Sequence, residues 1–126
     1  DISGIGCVYQ LPSYSPIKAG SEEMKKWDPN WTTEKVGADA GYDNYWAGAK
    51  KACDELDMSL PTKLTLKFLY SKSKNNPNLG LPTYGWFWAS EDYGSRDVKA
   101  YGLRFHDGSI YGARKSRDDE AICVDK

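Results

Sequence analysis

The residue types that catalysis needs form no recognisable catalytic arrangement in this sequence. His106 is the only histidine, and Asp107 and Ser109 follow it closely in the sequence. Residues that crowd one turn do not show the convergent nucleophile, base and orienting acid of a catalytic triad. The acidic run 118–120 is more simply explained as a solvated turn than as an acid–base pair. We therefore expect no catalytic residues and a protein that is not an enzyme.

Metal chemistry has equally little support in the sequence. Glu91, Asp92 and Asp97 could supply oxygen ligands from one loop, but calcium needs roughly six to eight of them. One histidine and three cysteines without a C-x-x-C pair make a four-ligand zinc site implausible. We expect a solvated acidic loop, no metal site and no cofactor.

The three cysteines bear on the cellular compartment. A disulfide between Cys53 and Cys123 would tie a helix to the last strand and stabilise the fold by about 4 kcal/mol in the chain-entropy model. Such a bond would indicate an oxidising compartment. The alternative is three reduced, buried thiols in a cytosolic protein. With the bond, Cys7 is left over, either free or paired with a segment outside this sequence.

Composition narrows the class of partner. The 126 residues, with 40% hydrophobic side chains, suggest one domain, and five Trp and nine Tyr exceed the needs of an ordinary core. Some of these rings should be exposed, where they suit recognition of sugars or proteins. A net charge of −1 argues against nucleic acid as a partner. No apolar run is long enough to span a membrane, and the start at Asp1 suggests a mature or excised piece.

Helical periodicity dominates the middle of the chain. A first helix should begin near Asp43 and a second should be capped by Thr62. The first helix places a core-facing stripe at Tyr42, Tyr45, Trp46, Ala49, Cys53 and Leu56. The second places Leu66, Leu69 and Tyr70 inward and Lys63, Lys67 and Lys74 outward.

Strand patterns lie on both sides of these helices. Four candidate strands fall between Tyr84 and Val124, and Asp107-Gly108 suits a two-residue hairpin turn. Residues 1–41 are rich in turns and give only a possible first strand at 5–9. The order of elements predicts an α+β domain over 1–126.

Several short motifs, in the same order, resemble a known family. They are Ala49-Lys50-Lys51-Ala52-Cys53, Leu60-Pro61-Thr62, Gly85-Trp86-Phe87-Trp88-Ala89-Ser90-Glu91, Tyr101-Gly102-Leu103-Arg104-Phe105, Asp107-Gly108-Ser109, Tyr111 to Ser116 and Ile122-Cys123-Val124. Over roughly residues 44–125 the chain resembles the bacterial major paralogous domain often called FISUMP. It is also similar to the C-terminal domain of the legionella collagen-like adhesin. Residues 1–43 lie outside this core as an irregular N-terminal region.

The resemblance implies a C-type-lectin-like fold, with two helices packed on a twisted antiparallel sheet and long loops. It also implies a disulfide between a helix cysteine and a last-strand cysteine, here Cys53 and Cys123. The calcium motifs of sugar-binding lectins, of the Glu-Pro-Asn and Trp-Asn-Asp types, are absent. Formylglycine-generating relatives use a reactive cysteine pair, but a structural bridge explains these two cysteines better.

In lectin-like folds, the variable surface involves the loop after the second strand and the outer faces of the third and fourth. In this chain the ligand-binding residues are therefore expected to be Tyr93, Arg96, Tyr101, Arg104, Tyr111 and Arg114, with Arg117 nearby. A competing patch for a polyanion is the lysine-rich second helix, with Lys63, Lys67, Lys72 and Lys74. A merely solvated helix face is the preferred interpretation of that patch.

Three functions are consistent with these patterns. The first is a non-catalytic bacterial binding module, secreted, on the cell surface or in the periplasm, whose adhesin-like site takes a glycan or protein ligand. The second is a structural subunit of an appendage such as a pilus, with neighbouring copies in an oligomer or filament as partners. The third is a receptor domain diversified by a retroelement. We prefer them in that order.

Overall fold

The computed structural model describes residue 2 and residues 4–31, 43–93 and 96–126. Within these residues the chain is an α+β protein with three α-helices and two three-stranded antiparallel sheets. The helices are α1 (Glu22–Trp27), α2 (Tyr45–Glu55) and α3 (Lys63–Asn75). The strands are β1 (Val8–Gln10), β2 (Met58–Ser59), β3 (Trp86–Tyr93), β4 (Arg96–Arg104), β5 (Ile110–Arg114) and β6 (Ile122–Asp125). A 3-10 turn at Pro77–Leu79 follows α3.

Both predicted helices form, with one change at a cap. The side chain of Asn44, rather than that of Asp43, caps α2 by accepting a hydrogen bond from the N–H of Ala47 at 2.8 Å. Thr62 caps α3 as predicted, through the N–H of Thr65 at 3.1 Å. Leu56 follows the end of α2 and is 47% exposed, so its predicted place in the core-facing stripe is wrong. The predicted contribution of Tyr42 falls outside the described residues.

The N-terminal region contains a helix that the sequence pattern did not indicate. Helix α1 has only six residues, too few to show a hydrophobic period. Its acidic residues lie in the first turn and its basic residues in the last, which suits the helix dipole. The predicted strand at 5–9 is found slightly later, as β1.

The strands form two separate sheets. One has the order β1-β6-β2, and β1 pairs with β6 from Val8 opposite Val124 to Gln10 opposite Ile122. The other has the order β3-β4-β5, and residues 105–109 form the loop between β4 and β5. The predicted two-residue turn is therefore wrong, although the hairpin itself is present. Gly108 takes the positive φ of 75° that the loop requires.

The core packs against both faces of β3. Phe87 contacts the apolar cluster that contains Leu66 and Leu69 of α3. Trp88, the next residue, belongs to the cluster around Trp46 of α2. Cys53 and Cys123 lie in this second cluster and are joined by a disulfide, with their Cα atoms 5.5 Å apart.

Cys7 is free and exposed. Among the described residues, no helix has the length and apolar character needed to cross a bilayer.

Candidate binding surface around Trp86

The predicted ligand-binding residues lie on two faces of the β3-β4-β5 sheet. Tyr101 pairs with Gly112 and Gly102 with Tyr111, so the two tyrosine side chains point to opposite faces. By the same alternation Arg104 shares a face with Tyr111, and Arg114 shares a face with Tyr101. The side chain of Arg96 lies outside the described part of the structure.

On the face of the sheet that carries Tyr101, the tyrosines are packed against neighbouring side chains. The rings of Tyr93 and Tyr101 are 4.8 Å apart between centroids. The ring of Tyr93 lies against Gly112, in space that a Cβ atom would need. The ammonium of Lys63 sits 3.7 Å from the Tyr101 ring, so part of this aromatic face is already occupied by a cation.

The opposite face, which carries Tyr111, holds an aromatic and cationic cluster. We call this cluster the Trp86 surface, and it is formed by Trp86, Arg104, Tyr111 and Arg117. Trp86 is 37% exposed although it lies within a strand. The guanidinium groups of Arg104 and Arg117 lie 4.8 and 4.6 Å from its ring centroid. The Tyr111 ring packs edge-on to the indole at 4.9 Å. These contacts hold a partly exposed ring in one orientation.

Acidic partners hold both arginines of the Trp86 surface in place. Arg104 forms an ion pair with Asp107 and donates through Nε to the Ser109 hydroxyl at 3.1 Å. Arg117 donates to Asp119 Oδ2 at 2.9 Å, and the Tyr111 hydroxyl donates to the same oxygen at 2.6 Å. Burial raises the pKa of Asp119, against the hydrogen bonds from Arg117 and Tyr111, which lower it.

A cleft of about 350 Å³ opens beside this cluster, lined by Trp86, Arg117, Asp118, Asp119 and Glu120. One wall is an indole ring, and the others carry guanidinium and carboxylate groups. Such a lining offers apolar contact together with hydrogen-bond donors and acceptors, which a small polar ligand requires.

The ion pair of Arg104 can be tested by titration. The hydrogen bond from Arg104, followed by those from the Ser109 N–H and hydroxyl, lowers the pKa of Asp107 well below its usual range. We expect Arg104→Met to raise this pKa toward its ordinary value, measured by NMR titration of the carboxyl carbon. Arg114→Met, which removes the same charge from β5 on the other face of the sheet, is the control and should leave the pKa of Asp107 unchanged. An equal response to both variants would contradict the pairing.

The candidate metal and catalytic residues are occupied in other ways. Glu91 accepts a hydrogen bond from the Lys63 N–H at 2.9 Å, at the N-terminus of α3, and Asp92 pairs with Lys115 at 2.6 Å. The side chain of Asp97 lies outside the described residues. In the part of the chain that the structure describes, no three His, Cys, Asp or Glu side chains are placed to hold a metal ion.

In the β4–β5 loop, the Ser109 hydroxyl donates a hydrogen bond to the Asp107 carboxylate at 2.7 Å, so the hydroxyl hydrogen is directed at that carboxylate.

The lysines of α3 also have intramolecular partners. Lys67 donates to the carbonyl of Gly108 at 2.8 Å, which ties α3 to the β4–β5 loop. The ammonium groups of Lys72 and Lys74 lie 5.3 and 5.9 Å from the rings of Phe68 and Tyr70. These partners are all neutral, so the contacts position the lysine side chains without removing their positive charge.

A buried charged cluster near α2 was not predicted from the sequence. The side chain of Lys115 is completely buried and lies 2.8 Å from Asp28 Oδ2 and 2.6 Å from Asp92 Oδ1. Its ammonium is 4.4 Å from the ring of Trp46. Asn44 also donates to Asp28 at 2.8 Å. The residues come from four distant segments, so no local pattern could have shown the cluster.

A comparison with protein-family models finds no family that matches this chain, and a search of curated proteins finds no match either.

Proposed function

We propose that this protein is a non-catalytic binding module that recognises a glycan through the Trp86 surface. The observation that carries the proposal is a partly exposed indole, fixed by two arginines and Tyr111, at the wall of a cleft with carboxylate groups. Sugar rings present apolar C–H faces that suit an aromatic ring and hydroxyls that suit planar charged groups. The volume of the cleft and its mixed apolar and charged lining suit a small polar ligand.

The cellular setting of this proposal is the bacterial cell surface, the surrounding medium or the periplasm. The disulfide between Cys53 and Cys123 supports it, because such bonds persist mainly in oxidising compartments. The same bond joins α2 to β6, which is the connection that the resemblance to C-type-lectin-like domains implies. We propose that fold on the strength of this bond and the α+β arrangement.

Binding to immobilised bacterial and host glycans tests the proposal. We expect Trp86→Ala to weaken binding at least about 30-fold, since central aromatic anchors contribute about 2 kcal/mol or more. Tyr84→Ala is the matched control, because Tyr84 lies two residues before Trp86, is 74% exposed and makes no ring–ring contact among the described residues. Circular dichroism of both variants confirms that the fold is kept. Binding that survives Trp86→Ala, or is lost equally in both variants, contradicts the proposed site.

One observation favours the structural subunit as a second candidate. Leu64 and Phe68 are 82% and 42% exposed, and they lie one turn apart on the same side of α3. Two adjacent apolar side chains on a helix surface suit contact with a neighbouring copy. If no glycan binds and the protein self-associates in sedimentation experiments, with Leu64→Asp abolishing the association, this candidate replaces the first.

A further inference from the structure

Residues 118–120 form an acidic segment, which we call the acidic ridge, and it is fixed against β3. The N–H of Glu120 donates to the carbonyl oxygen of Trp86 at 2.8 Å, and the N–H of Trp88 donates to the carbonyl oxygen of Glu120 at 3.0 Å. The carboxylate of Glu120 lies against Gly85, the residue before Trp86, in space that a Cβ atom would need. These contacts place a carboxylate next to the indole of the Trp86 surface.

Two of the three ridge carboxylates have no cationic partner among the described residues. Arg117 donates to both carboxylate oxygens of Asp119, so the charges of these two residues offset each other. Glu120 accepts a long hydrogen bond of 3.4 Å from the neutral amide of Gln10. In the part of the chain that the structure describes, the Asp118 side chain forms no hydrogen bond or ion pair. The cleft that the ridge lines therefore keeps an excess of negative charge.

The acidic ridge also lines a second cleft, of about 240 Å³, together with Tyr14 and Tyr45. The two tyrosine rings pack edge-on with their centroids 6.2 Å apart. Burial raises the pKa of the Tyr14 hydroxyl, and the negative charges of Asp119 and Asp118 raise it further. Because both clefts share the ridge, they are adjacent, and each joins an aromatic wall to the same carboxylates.

We propose that the glycan bound by the Trp86 surface is a basic oligosaccharide, made of amino sugars whose amino groups are free and protonated; this rests on the proposed function. One sugar ring lies against Trp86 and another against Tyr45, in the adjacent cleft. Their ammonium groups donate to the carboxylates of Asp118 and Glu120. Hydrogen bonds between charged groups are about twice as strong as those between neutral groups, so the amines contribute to selectivity.

The arginines of the Trp86 surface do not favour an acidic sugar. Arg104 is paired with Asp107, and Arg117 with Asp119. A carboxylated or sulfated sugar would have to displace one of these carboxylates, and the two unpaired carboxylates of the ridge would repel it. A neutral sugar would leave those two carboxylates without a cation. An ammonium group is the ligand chemistry that completes the charge balance of the cleft.

Isothermal titration calorimetry with two oligosaccharides of the same linkage tests the charge of the ligand. The probes are a tetramer of glucosamine and the corresponding tetramer of N-acetylglucosamine, whose amides carry no charge. At about pH 6 the amines are protonated and exposed carboxyl groups are ionised. We expect the glucosamine tetramer to bind at least about tenfold more tightly.

Failure of the basic ligand can be distinguished from failure of the proposed function. Equal binding of the two tetramers, or a preference for the acetylated one, overturns the basic ligand and leaves the glycan-binding function standing. Binding of neither tetramer overturns the basic ligand as well. The proposed function falls with it only if the folded protein also binds none of the immobilised glycans.

Substitutions in the acidic ridge locate the charge that the ligand recognises. Asp118→Asn together with Glu120→Gln should reduce the preference for the glucosamine tetramer to within about twofold, because both carboxylates become neutral amides. The matched control is Glu22→Gln together with Glu55→Gln, which removes the same net charge from exposed positions on α1 and α2. The control should retain the preference. An equal reduction in the two double variants means that net charge alone attracts the ligand, and it overturns the ridge as the binding site.

Dependence on chain length tests the second cleft. Tyr45→Ala should weaken binding of the glucosamine tetramer at least about fivefold, the contribution of one aromatic contact, and binding of the dimer by no more than about twofold. Both lengths are measured on the same folded variant, so a general loss of structure cannot produce the difference. Equal effects on the two lengths overturn the arrangement across both clefts.

Discussion

Replacing Lys115 by methionine is expected to lower the free energy of unfolding by at least about 3 kcal/mol. Methionine fills similar space but leaves the carboxylates of Asp28 and Asp92 without their cation. Removing one partner of a buried charge pair typically costs about 3–5 kcal/mol, because the remaining charge stays desolvated. Urea unfolding followed by tryptophan fluorescence measures the cost.

The control for this prediction is the same substitution at an exposed ion pair. Lys51 lies 2.6 Å from Glu23, but their side chains are 37% and 43% exposed. Solvent screens exposed ion pairs, so Lys51→Met should have only a small effect on stability. Similar losses for the two variants would contradict the burial of Lys115. Neutralising all three charges, by adding Asp28→Asn and Asp92→Asn to Lys115→Met, should recover part of the stability.

Removing the disulfide is the second change with a large expected effect. The bond between Cys53 and Cys123 spans 70 residues and joins α2 to β6 inside the core. Replacing both cysteines by alanine should cost about 2–5 kcal/mol, as for native bridges in small secreted domains.

Denaturant unfolding of the double cysteine variant measures this cost, and Cys7→Ala is its control. Because Cys7 is exposed and free, its substitution should change stability by no more than about 0.5 kcal/mol. Peptide mapping without reductant should recover Cys53 and Cys123 in one linked fragment. Free thiols at both positions would remove the argument for an oxidising compartment.

The predicted parts of the fold are those with a long regular pattern. Helices α2 and α3 have several turns, so their apolar spacing and the Thr62 cap were visible in the sequence. Helix α1 has less than two turns and β2 has two residues, which is too short for any periodicity. The Asp107-Gly108 pair predicted a two-residue turn, which needs a positive φ at both residues. Only Gly108 has a positive φ, and the loop between β4 and β5 spans residues 105–109.

The candidate site was predicted only in part. Arg104 and Tyr111 do lie together, but Tyr101 is on the other face of the sheet. Tyr101 and Arg104 are three residues apart in one strand. Because strand side chains alternate, this spacing already indicated that the two side chains lie on opposite faces of the sheet. The sequence could not show that Trp86 belongs to the candidate site. That depends on the pairing of β3 with β4, which places Trp86 opposite Arg104, and on the approach of Arg117.

The pairing of β1 with β6 determines how the protein responds to mechanical tension. Val8 lies opposite Val124, so the start of β1 and the end of β6 lie side by side, at the same end of one antiparallel pair. Pulling on these two points would separate the strands one hydrogen bond at a time, as a zipper opens, rather than shear them together. Peeling of β6 would then stop at Cys123, where the covalent link to α2 carries the load. A load applied at these two points would therefore act on the β1-β6-β2 sheet before it reached the separate sheet that carries Trp86.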